Sequence, residues 1–224
     1  MVTALKENNR FKMSLLLAAL SISCFSLSVF RLTLTNSPMY LFLNWNLFLA
    51  FLPWLFSSLL TVQPRWKSNK FIVLSFVGVW LLFFPNALYI LTDLFHLHNG
   101  TAMPMWFDLV LVLAFAWTGL LFGFISLFDM EKILAQFIPN RFIQPVSVIL
   151  LFAGSFGVYL GRFLRWNSWD VLQDPVPLLY DISNRFTDPF SHPRTWGVTL
   201  FVGALLCMIY FSLKMLKEEQ RKQA

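Results

Sequence analysis

The sequence predicts an all-α, polytopic membrane helix bundle. Six transmembrane helices are expected, with a long outer segment carrying short interfacial helices. Three observations predict it. The chain is 58% hydrophobic and only 12% charged, where a soluble domain carries about 25% charged residues. Six apolar stretches lie at about 13–33, 40–62, 70–92, 105–128, 142–164 and 195–216; each reaches the roughly 20 residues that span a roughly 30 Å hydrocarbon core. None shows strand-type alternation of barrel length, so helices must satisfy the backbone in lipid. The whole of 1–224 reads as a single transmembrane domain.

The first stretch follows Lys6, Arg10 and Lys12, as a signal peptide would. No small-x-small cleavage site closes it, and Ser21-Ile22-Ser23-Cys24 is a poor lipoprotein box, so it reads as an uncleaved span. The fourth opens at Met105-Trp106-Phe107-Asp108. The fifth sets Gly154, Gly157 and Gly161 on one face, with the small-xxx-small spacing of closely packed helices, and Arg165 one turn further on. The sixth runs into a solvated Lys-Glu-Glu-Gln-Arg-Lys helix end. Of the connections, 93–104 is a modest loop. The segment 165–194 is long and rich in Trp, Asp and Pro. Within it Ser168 is the expected N-cap of one short helix, and Leu178, Leu179, Ile182 and Phe186 the apolar face of another. Cys24 and Cys207 both fall in apolar spans, which argues against a structural disulfide, and no Cys/His zinc spacing occurs. No repeat of fixed period is present, so an inverted-repeat transporter is not supported.

The net charge of +6 invites a nucleic-acid reading, but no basic run is interleaved with a soluble fold. The cations sort by side instead. Twelve (Lys6, Arg10, Lys12, Arg65, Lys67, Lys70, Lys132, Arg141, Lys214, Lys217, Arg221, Lys222) fall on one side, and five (Arg31, Arg162, Arg165, Arg185, Arg194) on the other. The positive-inside rule then puts both termini in the cytoplasm.

A polar stripe closes the third span. At about 100° per residue, Asn86, Tyr89, Asp93 and His96 fall within roughly an 80° arc of one helix face. Helix rise gives depth. At about 1.5 Å per residue, Asp93 lies roughly 35 Å from Lys70, Asp108 roughly 32 Å from Asp129, Arg162 roughly 27 Å and Arg165 roughly 32 Å from Gln144, and Asn44 roughly 28 Å from Gln63. All fall near the outer boundary. The opposite halves of these spans are mainly Leu, Phe, Val and Ile, a one-sidedness that counts against a transport path through the full thickness. Asp93 or Asp108 is the expected anion for Arg165.

The strings Phe84-Pro85-Asn86-Ala87-Leu88-Tyr89-Ile90-Leu91-Thr92-Asp93-Leu94 and Gly161-Arg162-Phe163-Leu164-Arg165-Trp166-Asn167-Ser168-Trp169-Asp170, with the Met105-Trp106-Phe107-Asp108 start of the fourth span, resemble the bacterial membrane family catalogued as "domain of unknown function 1361". The resemblance covers roughly the second span to the sixth. It implies a multi-pass protein of the bacterial plasma membrane, and no activity.

Function therefore rests on a candidate cluster: Asn86, Tyr89, Asp93, His96, Asp108, Arg162, Arg165 and Asp170. Three readings stay open. The cluster binds a lipid headgroup or small anion through its arginines, with Trp166 and Trp169 as walls. Or it serves an envelope enzyme, with Asp93 or Asp108 as general base, His96 as proton carrier and Arg162 or Arg165 as anion clamp; no nucleophile motif or glycine-rich phosphate loop supports this. Or the polar residues only pin the bundle, as a structural or assembly partner would need. There Asn86 satisfies groups freed by Pro85, and Tyr89 anchors at the interface. His96, His98 and His192 all fall on the outer side, but no ligand set emerges, so no metal is assigned. The lipid bilayer is the one partner the sequence names. Cofactor and oligomeric state are left unassigned.

Overall fold

A computed structural model describes residues 10–67, 69–97 and 103–223. The described residues form α-helices and one 3-10 helix, with no strand. Six of the helices are long and apolar enough to cross a membrane, which agrees with the spans expected. The chain divides into two compact units, Met1–Phe137 and Ile138–Ala224.

The first unit contains α1 (Phe11–Thr35), α2 (Phe42–Val62), the single turn α3 (Pro64–Lys67), α4 (Lys70–Tyr89), a 3-10 helix over Ile90–His96, and α5 (Met105–Leu134). Helix ends follow local chemistry. Asn36 stops α1 in the left-handed region at φ 50°, its N–H bonded to the Leu32 carbonyl, a geometry that asparagine tolerates. Asn69 starts α4 by accepting from the N–H groups of Phe71 and Ile72 at 3.0 and 3.4 Å. Pro104 precedes α5, whose first turn has no N–H bond to lose.

The third span departs from the sequence expectation. It does not continue as an α-helix to 92; the α-helix ends at Tyr89 and seven residues wind as a 3-10 helix. Pro85 carries no N–H for the Leu81 carbonyl, and the Asn86 side-chain amide donates to the Phe83 carbonyl at 3.1 Å. The backbone ladder is loosened there, and the chain beyond it tightens to about 3.0 residues per turn. Runs that long are uncommon in 3-10 form. The arc expected for Asn86, Tyr89, Asp93 and His96 widens from roughly 80° to roughly 120°, because the rotation per residue changes after Tyr89.

Within this unit α5 is the hub. In its most apolar window 61% of residues are buried, against 17% for α1 and 44% for α2. Leu111, Phe115 and Ala116 of α5 meet Leu17 of α1, Leu43 and Ala50 of α2 and Ala87 of α4 in one apolar core. Gly119 and Gly123 bring α5 against α4. A Cβ on Gly119 would stand 3.2 Å from the Ala87 carbonyl oxygen, and one on Gly123 3.1 Å from the Ala87 Cβ. This small-xxx-small pair lies in the fourth span.

The second unit pairs α6 (Asn140–Leu164) with α9 (Pro193–Gln223), with α7 (Asp170–Gln173) and α8 (Pro175–Thr187) in the connection between them. Leu151 and Val158 of α6 and Leu206 and Tyr210 of α9 are buried. Phe152 of α6 fills the space beside Gly203 of α9. The expected short helices form, with one correction. Trp169, not Ser168, occupies the cap position of α7. The Asp170 carboxylate turns back to accept from the Asn167 N–H at 2.6 Å, so the acidic residue shapes the turn. On α8 Leu178 is buried, while Phe186 packs against Phe156 and Trp196 with ring centroids 5.5 and 5.2 Å away.

Gly119→Leu should lower the melting temperature in detergent, at a cost of about 1–3 kcal/mol from forced repacking against α4. Gly78→Leu is the control, since nothing lies within 4 Å of its added Cβ. Equal melting temperatures for the two variants would refute close α4–α5 packing.

Candidate functional site

The cluster residues divide between the units. Asn86, Tyr89, Asp93, His96 and Asp108 belong to the first, and Arg162, Arg165 and Asp170 to the second. His98 lies outside the described residues.

In the first unit Asp108, in the first turn of α5, accepts two hydrogen bonds from Arg31 of α1. Arg31 Nε to Oδ1 is 2.6 Å and Nη2 to Oδ2 is 3.2 Å. Both side chains are 2% exposed. The sequence expectation gave Asp108 an arginine partner from the fifth span; the arginine it meets within its own unit is Arg31, which had been read only as a topology signal. The Tyr40 ring covers the guanidinium, 4.5 Å from its carbon, as a cation–π contact. The Tyr40 hydroxyl donates to the His96 carbonyl at 3.0 Å. The turn between α1 and α2 is thereby latched to the end of the 3-10 helix. Beside this pair, fully buried Asp93 accepts from Asn46 Nδ2 of α2 at 2.8 Å. The His96 ring stands edge-on to Phe42, centroids 5.1 Å apart. Thr92 bonds the Tyr89 carbonyl at 2.7 Å, and Asn44 donates to Ser28 at 2.8 Å.

The opposite end of the same helices holds a second polar layer that the apolar look of the sequence concealed. Arg10 Nη2 donates to Asp129 Oδ2 at 2.5 Å and to Ser58 Oγ at 3.0 Å. The two charged side chains are 10% and 8% exposed. Lys132 lies 3.8 Å from the other Asp129 oxygen. Lys67, just beyond the second span, is held below the ordinary lysine range, first by burial and then by Arg10 and Lys132, with Asp129 opposing. The polarity is therefore two-sided. The same 21-residue interval separates Arg10 from Arg31 and Asp108 from Asp129, about 32 Å of helix. Two antiparallel helices are thus clamped at both ends. That matched interval was the signal in the sequence, and it points to Arg31 and Arg10.

In the second unit, Arg165 ends α6 in the left-handed region at φ 62°, a place usually taken by glycine. Trp166 N–H reaches back to the Leu160 carbonyl at 3.2 Å, closing the turn. The Trp166 indole donates to Asp181 of α8 at 2.8 Å. Arg185 donates to the other Asp181 oxygen at 3.1 Å, and also to the Asp181 carbonyl. Arg194 lies over the Phe163 ring at 4.3 Å. Asp170 is 9% exposed and spent on the Asn167 turn. The Arg165 side chain is exposed, as are Trp169, Leu172 (84%) and Val176 (75%) around it in sequence. Among the described residues no group of three or more His, Cys, Asp or Glu gathers as metal ligands would.

Long apolar helices with ion pairs sealed between them at both ends define the class: a polytopic helical membrane protein. The family described as "Protein of unknown function (DUF1361)" matches residues 45–209, and the chain belongs to it. The matched stretch contains Asp93, Asp108, Arg162, Arg165 and Asp170, while Arg10 and Arg31 precede it. Comparison with curated proteins and with solved structures returns no match.

Breaking the buried pair one side at a time should be costly. Asp108→Leu leaves the Arg31 charge buried and should cost about 3–5 kcal/mol, and pairing it with Arg31→Met should restore most of that. Thermal unfolding of the two variants and their combination checks this. A double variant no more stable than Asp108→Leu would contradict the clamp.

Proposed function

We propose that this is a protein of the bacterial plasma membrane, with both termini in the cytoplasm, whose outer end binds an anionic group through Arg165 and Arg162. A phospholipid headgroup or a small anion supplies that chemistry. One observation carries the reading. Arg165 holds an exposed guanidinium on left-handed backbone, which costs a non-glycine residue roughly 1–2 kcal/mol. Glycine would close the same turn without that strain, so the arginine points to a use for its side chain. The surroundings suit a lipid surface. Trp169, Leu172, Val176 and Leu179 are exposed apolar groups of the kind that settle among headgroups, and a guanidinium fork matches phosphate or carboxylate oxygens.

A second reading applies to the first unit. Asp93 and Asp108 are 0% and 1% exposed and already bonded to Asn46 and Arg31. That closure favours a scaffold role for them over a catalytic one.

Native mass spectrometry of the full chain, offered phosphatidylglycerol or inorganic phosphate, tests the proposal. Wild type should retain one more copy of the probe per chain than Arg165→Ala, and occupancy of that additional site should fall at least tenfold in the variant. Phosphatidylglycerol alone would identify a headgroup site; phosphate alone, a site for free anions. Arg165→Gly should also lose that copy, yet melt no lower than wild type, because it relieves the backbone. Undiminished retention in both variants, or a wild type that retains neither probe, would sink the reading.

A further inference from the structure

A groove of about 500 Å³ runs along the first unit between α1 and α2, floored by Phe122 of α5. Leu17, Phe25, Leu47, Phe51 and Trp54 make its walls apolar. It reaches from Ser14 to Phe25 on α1 and from Trp54 to Asn44 on α2, about 16 Å of helix. That is roughly half of a ~30 Å hydrocarbon core, the depth of one leaflet. A ligand as long as the groove therefore belongs to one leaflet and does not span the membrane.

The deep end is chemically distinct from the rest. Arg10 sits one helical turn before Ser14, and its guanidinium carbon is 6.0 Å from the centroid of Trp54, a groove wall. Arg10 is nine-tenths buried, yet its Nη1 has no hydrogen-bond partner among the described residues. The Trp54 indole N–H, also buried, has none either among the described residues. Buried donors of this kind call for an acceptor. Lys12, Lys67 and Lys132 add positive charge at this end, against Asp129 and Glu131. An anionic oxygen suits it, and cations near a membrane surface attract acidic lipids.

We propose that this groove holds one acyl chain of an anionic phospholipid, with the phosphodiester met by Arg10 at its basic end. The apolar walls take the chain, and Arg10 Nη1 and the Trp54 N–H supply the missing donors. Arg10 still keeps its bonds to Asp129 and Ser58 through Nη2. The site lies wholly within the first unit and does not depend on Arg165.

The test uses the full chain in an Arg165→Ala background, so that an outer site contributes nothing. Phosphatidylglycerol and phosphatidylcholine of equal chain length are offered together, and retained lipid is weighed by native mass spectrometry. One phosphatidylglycerol should be retained per chain, about tenfold in preference to phosphatidylcholine. Ala18→Trp, at an exposed position lining the groove, should abolish retention of both without lowering the melting temperature. Arg10→Gln should keep a lipid but lose the preference. The proposal is overturned if no lipid is retained before the groove is altered, if Ala18→Trp retains as much, or if Arg10→Gln leaves the preference intact. It is equally overturned if Ala18→Trp changes only the oligomeric state, which would make a second copy the occupant.

Discussion

The first unit depends on a double clamp. α1 and α5 run antiparallel, and each contributes two charges to the clamp, one near either end, spaced 21 residues apart. Arg10 meets Asp129 and Arg31 meets Asp108. In lipid there is no hydrophobic drive to hold helices together, since the tails are as apolar as leucine. A charge left alone there is costly, so each carboxylate and its arginine hold the other in place. Because the two intervals match, sliding one helix along the other breaks both pairs at once. α2 and α4 then pack on the fixed pair. α2 adds Asn46 and Ser58 as ligands to the two polar layers, and α4 presses Ala87 against Gly119 and Gly123.

The six spans were legible because hydropathy and length are local properties that lipid reads directly. The partners were not, because pairing is decided by register between distant helices. Arg31 shows the difference. Counted by its neighbours in sequence it is one more cation at the end of a span; placed opposite α5 it is the 2%-exposed ligand of Asp108. The polar stripe spread for another reason. Its arc assumed one helical rotation throughout, and Pro85 with Asn86 loosens the ladder just before the winding changes. Asp93 and Asp108 were recognised as unusual from depth alone, while Asn46 and Tyr40, which complete their surroundings, have side chains common at any interface.

The two units also use arginine in opposite ways. Arg31 and Arg10 are buried, and each pairs with a carboxylate of the same chain. Arg165 is exposed at a helix end where backbone strain is accepted to hold it. The first kind sets architecture, with Nη1 of Arg10 left over for the lipid oxygen proposed above, and the second is open to other molecules. A site search guided only by ionisable residues in apolar spans merges the two kinds. Burial together with hydrogen-bond accounting separates them.

The 3-10 helix over Ile90–His96 carries a consequence for length. It rises about 2.0 Å per residue where an α-helix rises about 1.5 Å. Seven residues in this form therefore extend the third span by roughly 3.5 Å compared with α winding. Rewinding them would shorten the span by that amount and turn His96 by well over a quarter of a circle. The 3-10 winding thus sets the height of the span's end, and Tyr40, bonded to the His96 carbonyl, ties that end to the turn between α1 and α2.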